Sequence, residues 1–159
     1  LASYVKTFGD AHPHVATARN NLGEAWRAKG EYDKAIGYYE QALASYVKTF
    51  GDAHPHVATA RNNLGEAWRA KGEYDKAIGY FEQALASDLK TFGDAYPAVA
   101  RDRNNLGSAW SAKGEYDKAI EYFEQAYKTL YTMLGESHPN TQLCKANLET
   151  AKVARDAAR

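Results

Sequence analysis

Apolar positions along the chain fall into two alternating helical stripes. Val15, Ala18, Leu22, Ala25 and Trp26 sit at offsets 0, 3, 7, 10 and 11, one face of a 3.6-residue helix. Tyr32, Ala35, Ile36, Tyr39, Ala42, Leu43, Tyr46, Val47 and Phe50 sit at offsets 0, 3, 4, 7, 10, 11, 14, 15 and 18. They predict a second helix of about 20 residues, roughly 30 Å long. No strand-like alternation occurs, so the fold class is all-α. Lys29-Gly30 predicts the end of the first helix, with a cation at the negative end of the dipole and glycine in a left-handed turn. Phe50-Gly51 predicts the second end in the same way, and Pro55 opens the next helix. Connections this short make successive helices antiparallel neighbours.

The pattern is a repeat. Residues 1–42 and 43–84 differ only at Tyr39 against Phe81, and residues 85–126 match the second block at 33 of 42 positions. Residues 127–159 keep the register more loosely: Gly135, His138, Pro139, Asn147 and Leu148 align with Gly9, His12, Pro13, Asn21 and Leu22. The expected organisation is one array over 1–159, with blocks 1–42, 43–84 and 85–126 and a divergent capping half-repeat at 127–159. In that last segment Lys145, Lys152 and Arg155 bring in charge, and Lys152 takes the tryptophan register. Leu1–Phe8 reads as the tail of a second helix, too short to be helical alone. Leu1 in place of a methionine reads as a fragment or processed product.

Leu22-Gly23, Trp26, Gly30, Tyr32, Ala35, Tyr39 and Ala42 resemble the signature of the tetratricopeptide repeat, and later blocks repeat it through Leu64-Gly65, Trp68, Ala77, Phe81 and Ala84, then Leu106-Gly107, Trp110, Ala119, Phe123 and Ala126. The 42-residue period with its HP-x-VA and NNLG stretches is similar to the lengthened repeats of kinesin light chains. The proline that usually closes the second helix is absent, and that helix continues for two more turns. The resemblance implies a right-handed superhelical solenoid of antiparallel helix pairs, whose first helices line a concave binding groove. It also implies a protein-interaction scaffold taking a partner peptide.

On a helical wheel centred on Leu22, Thr17, Asn20, Glu24 and Arg27 lie more than about 130° from the buried stripe, with Asn21 on one flank. The groove candidates are therefore Asn20, Asn21, Glu24 and Arg27, then Asn62, Asn63, Glu66 and Arg69, then Arg101, Asn104, Asn105 and Asn147. An asparagine amide offers two donors and an acceptor, and so can pair with any peptide backbone. The lysines of the family's carboxylate clamp are missing. Arg27 and Arg69 can hold an acidic group, or simply pair with Glu24 and Glu66 one turn away. Arg19, Arg61 and Arg103 stand at the edge of the apolar stripe, where snorkelling or an acidic neighbour accounts for them.

Charge narrows the partners. The 20 Lys and Arg balance 20 Asp and Glu, which argues against nucleic acid and anionic membrane. The first two blocks carry five cations and five acids each, the third five against seven, and the last segment five against three. Cys144 is the only cysteine, so neither a disulfide framework nor a cysteine-based zinc site is expected. His12-Pro13-His14 and His54-Pro55-His56 make an incomplete metal set and read as helix-start packing; a cap there would weaken on protonation. No phosphate loop or nucleophile–base arrangement is present. The expectation is no enzyme, no cofactor and no metal, in a cytoplasmic protein with a protein or peptide partner. The alternative is a structural spacer, or an array that associates end to end with copies of itself.

Overall fold

The computed structural model covers residues 1–159 and contains eight helices and no strands. They are α1 (Ala2–Phe8), α2 (Pro13–Ala28), α3 (Tyr32–Phe50), α4 (Pro55–Ala70), α5 (Tyr74–Phe92), α6 (Pro97–Ala112), α7 (Tyr116–Leu134) and α8 (Pro139–Ala157). The chain divides into two compact units, Leu1–Ser87 and Asp88–Arg159, with the boundary inside α5.

The first helix of each pair starts with a proline. Pro13, Pro55, Pro97 and Pro139 occupy the first helical turn. His12 Nδ1 accepts from the His14 N–H at 3.1 Å, His54 from His56 at 3.2 Å and His138 from Asn140 at 3.1 Å. These imidazoles satisfy orphan donors of the first turn. His12 and His54 also stack on the preceding helix, with Phe50 and His54 centroids 4.2 Å apart. Tyr96 loses the cap and keeps the stack, 4.4 Å from Phe92.

The two kinds of helix end differ, contrary to the single rule expected from sequence. Gly30 (φ 78) closes α2 in a Schellman arrangement: Glu31 N–H reaches Trp26 O at 3.0 Å and Gly30 N–H reaches Arg27 O at 2.9 Å. Gly51 closes α3 with φ 83 and ψ 169. This is positive φ with an extended ψ, a region essentially reserved for glycine.

In the Leu1–Ser87 unit, Ala35, Ile36, Tyr39, Leu64 and Ala67 form one buried cluster, with Trp26 and Trp68 against it. Ala16, Ala42, Tyr46, Val57 and Ala60 form another. Small residues let the helices approach: a Cβ on Gly23 would lie 2.6 Å from the Tyr39 ring. In the Asp88–Arg159 unit, Ile120, Phe123, Leu130, Cys144 and Leu148 lead the cluster. The segment read as the tail of a second helix, too short to be helical alone, is α1. None of its residues is buried, and Phe8 stacks on His12, the cap of α2, at 4.7 Å.

Candidate functional site

The asparagine pairs join successive first helices. In the Leu1–Ser87 unit, Asn63 Nδ2 on α4 donates to Asn20 Oδ1 on α2 at 3.0 Å. In the other unit the same bond recurs, Asn147 Nδ2 on α8 donating to Asn104 Oδ1 on α6 at 3.2 Å. Asn21 is exposed, Asn105 half-buried, and Asn62 only 6% exposed. The wheel puts Asn20 and Asn62 on the solvent side of a lone helix. Asn62 departs from that expectation because its surroundings are set by neighbouring helices, which a lone-helix wheel leaves out.

Glu24 and Arg27 form an ion pair at 2.9 Å, and Glu66 and Arg69 one at 2.7 Å. In addition, the Tyr39 hydroxyl donates to Glu24 Oε1 at 2.5 Å, while repeat two has Phe81 at that register. Burial pushes the Glu24 carboxyl up, but hydrogen bonds from Tyr39 and Arg27 outweigh it and hold it below the usual glutamate value. Burial and the Glu24 carboxylate together push the Tyr39 phenol up. Both arginine candidates therefore have their charge answered within their own helix.

Repeat three is rebuilt. Ser108 and Ser111 stand where Glu24 and Arg27 stand in repeat one, and Ser108 Oγ bonds the Asn104 carbonyl at 3.0 Å. Arg101 reaches Asp88 at 3.2 Å and Asp102 at 3.1 Å, and both carboxylates are buried. Arg19, Arg61 and Arg103 bond Asp10, Asp52 and Asp94 and the backbone carbonyls of the same residues. They fasten the loop preceding each first helix.

Two features escape a sequence reading because they need the helix pairing. Lys71 meets Asp33 at 2.6 Å, and 84 residues on Arg155 meets Asp117 at 3.9 Å. Each tryptophan also carries a lysine of the following helix over its face: Lys34 on Trp26 at 4.3 Å, Lys76 on Trp68 at 4.2 Å and Lys118 on Trp110 at 4.2 Å. The signal is a lysine eight residues after each tryptophan, meaningful only once the hairpin is known. Cys144 is buried and free, its Sγ 3.5 Å from the Phe123 carbonyl. No helix is long and apolar enough to cross a membrane.

Antiparallel helix pairs repeated at 42 residues, with small residues under aromatic rings, define a helical-hairpin repeat protein. The family model for the tetratricopeptide repeat matches residues 1–46, 14–90 and 56–132, and the chain belongs to that family. Among solved structures it is similar to a Podosopora anserina protein described as a kinesin light chain with nearly identical TPR-like repeats. Identity is 27% and the TM-score 0.82, over 98% of this chain and 74% of that one. It is also similar to BtubC (BKLC) from P. vanneervenii, at 24% identity and a TM-score of 0.74, over 92% of this chain and 66% of the other. The Sgt2 TPR domain from Aspergillus fumigatus matches at 26% identity and a TM-score of 0.67, over 90% and 80%. No curated protein sequence matches significantly.

Proposed function

We propose that the chain is a protein-interaction scaffold whose first-helix faces receive an extended peptide segment of a partner. The observation that carries the reading is the recurring asparagine pair. The Asn63-to-Asn20 and Asn147-to-Asn104 bonds each use one N–H of the donor amide. They orient it and leave its second N–H and its oxygen for a peptide backbone. Asn21 and Asn105 place further amides on the same first-helix faces, while Asn62 is buried. Glu24, Arg27, Glu66 and Arg69 frame this row in repeats one and two, and Arg101 in repeat three. Because Glu24 and Glu66 already hold the arginines, affinity rests on the amides more than on capture of an acidic group. A peptide-display screen against the whole chain tests this. A selected partner should bind the Asn63→Ala/Arg69→Ala variant at least tenfold more weakly, and unchanged affinity sinks the assignment.

We also read 127–159 as a capping half-repeat closing one array over 1–159. Glu149 occupies the register of Gly23, Gly65 and Gly107, and Lys152 that of the tryptophans. A glutamate there blocks the ring of any following second helix. End-to-end self-association, the second reading, is supported by exposed Tyr4 and Phe8 on α1 and by Leu143 and Val153 on α8. The polar Glu149 and Lys152 weigh against it. A strict monomer across a sedimentation concentration series eliminates it. The compartment we propose is the cytoplasm, where a free thiol such as Cys144 stays reduced; a fluorescent fusion found elsewhere refutes that.

A further inference from the structure

The chain contains an internal template for a site it leaves open. In the Leu1–Ser87 unit, the corner between α2, α3 and α4 holds the Tyr46 side chain, which is buried. The Tyr46 hydroxyl is 3.0 Å from Thr17 Oγ1, and its ring stacks on His56 with centroids 5.3 Å apart. Moving 84 residues along the sequence gives the corner between α6, α7 and α8 in the other unit. There Tyr46 becomes Leu130, Thr17 becomes Arg101 and His56 becomes Asn140. A cavity of about 270 Å³ lies at that corner, lined among others by Leu130, Arg101, Asn104, Asn140 and Leu143.

These exchanges remove a ring and its stacking partner while keeping the apolar seat. Leu130, 4% exposed, forms the floor, and Leu143, 57% exposed, stands at the side. At the register of the Thr17 hydroxyl, Arg101 supplies guanidinium donors. Its charge is already answered by Asp88 and Asp102, so the three groups together carry one formal negative charge. A phosphate or carboxylate brought to this corner would meet an arginine whose charge two buried carboxylates already answer, whereas a neutral phenol would meet donors and an aliphatic floor.

We propose that this corner receives an unphosphorylated tyrosine side chain of the partner, supplying in trans the ring that Tyr46 supplies in cis. The proposal rests on the peptide-binding reading above, because Arg101, Asn104 and Leu143 belong to the same first-helix faces. Phosphorylation of that tyrosine releases the partner.

The test uses the full chain and three neutral-backbone probes: N-acetyl-tyrosinamide, its O-phospho form and N-acetyl-leucinamide, followed by amide NMR. Tyrosinamide should give saturable shifts around Arg101–Asn105, Leu130 and Asn140–Leu143, with a dissociation constant on the order of millimolar for so small a probe. The phospho form should bind at least tenfold more weakly, and leucinamide at least threefold. Leu130→Tyr refills the corner from within and should abolish the shifts, with Leu130→Phe as a second filler if the first disturbs the fold. Absent shifts, shifts that survive both fillers, or equal binding of the phospho form overturn the proposal. Gly79→Ala lies in the other unit, outside the first-helix faces and with nothing within 4 Å of the added carbon, and should leave tyrosinamide binding unchanged. A display-selected partner that needs Asn63 and Arg69 but ignores Leu130→Tyr would refute the tyrosine corner and leave the scaffold reading standing. The opposite pattern would do the reverse.

Discussion

Gly65→Ala and Gly79→Ala are the same substitution on adjacent helices and should shift stability in opposite directions. A Cβ on Gly65 would lie 2.4, 2.6 and 2.8 Å from three carbons of the Phe81 ring. Carbon atoms pack at about 3.5–4.0 Å, so ring and helix must separate by roughly 1 Å. Phe81 is fully buried and has nowhere to retreat, which places the change toward the upper part of the ~1–3 kcal/mol range for overpacking. Alanine returns about 1 kcal/mol of helix propensity. The net expectation is a loss of about 1–2 kcal/mol. At Gly79 nothing lies within 4 Å of the added carbon, and repeat three carries Glu121 at that register. Only the propensity gain of about 0.8–1.0 kcal/mol remains there. Urea unfolding followed by far-UV ellipticity and tryptophan fluorescence reads both, with whole curves compared because repeat arrays can unfold in stages. Phe81→Leu should recover part of the loss in the Gly65→Ala background and not in the parent. If Gly65→Ala proves as stable as the parent, the close packing of α4 against the Phe81 ring is wrong.

Three further outcomes follow from named contacts. Tyr39→Phe removes the hydrogen bond to Glu24 and should cost about 0.5–1.5 kcal/mol at neutral pH. Glu24's folded pKa is lowered, so this contribution is present above the ordinary glutamate value and is lost as pH falls through the folded value. Parent and variant denaturation curves should therefore converge in acid. Asp52→Ala strips the buried Arg61 of its carboxylate partner and should cost about 1–3 kcal/mol, with faster amide exchange in the 51–54 loop; unchanged exchange contradicts the fastening role. Burial pushes the Cys144 thiol up to about 11, so a thiol reagent near pH 8 should react fully only after denaturant is added.

The two helices of each block, the starts of the four principal first helices and the positions of the glycine stops were legible in the sequence, because periodicity, proline and glycine act locally. The Arg19, Arg61 and Arg103 pairs were legible as a class: a cation at the edge of an apolar stripe needs an acid nearby. What the sequence could not show depends on which helix lies beside which. Asn62 looks solvent-facing on its own helix and is buried. Tyr39 reads as core from spacing, yet its hydroxyl holds Glu24 across the hairpin. Arg101 reads as a groove candidate, but Asp102 beside it on α6 and Asp88 on α5 both claim it, and the Asp88 contact is invisible until the two helices are paired. The α1 stub is helical with Phe8 stacked on His12 at the start of the next helix, a contact its own periodicity does not announce.

Near-identical copies make the chain its own reference, and the pattern of exchanges separates frame from function. The acid–base contact between Asp33 and Lys71 reappears as Asp117 with Arg155, so its charge survives while the residue changes. The glycine beneath the aromatic ring persists through Gly23, Gly65 and Gly107. By contrast, the register of Thr17 runs through Thr59, Arg101 and Leu143, and that of Arg27 through Arg69, Ser111 and Val153. The packing frame is held and the first-helix face is varied. The glycine and tryptophan registers break on α8, at Glu149 and Lys152. If those two residues end the array, Glu149→Gly with Lys152→Trp should rebuild an internal register and expose a seat for another second helix. An exposed apolar seat promotes association, so the variant should sediment as larger, concentration-dependent species where the parent does not. A variant that stays as monodisperse as the parent would show that neither residue ends anything.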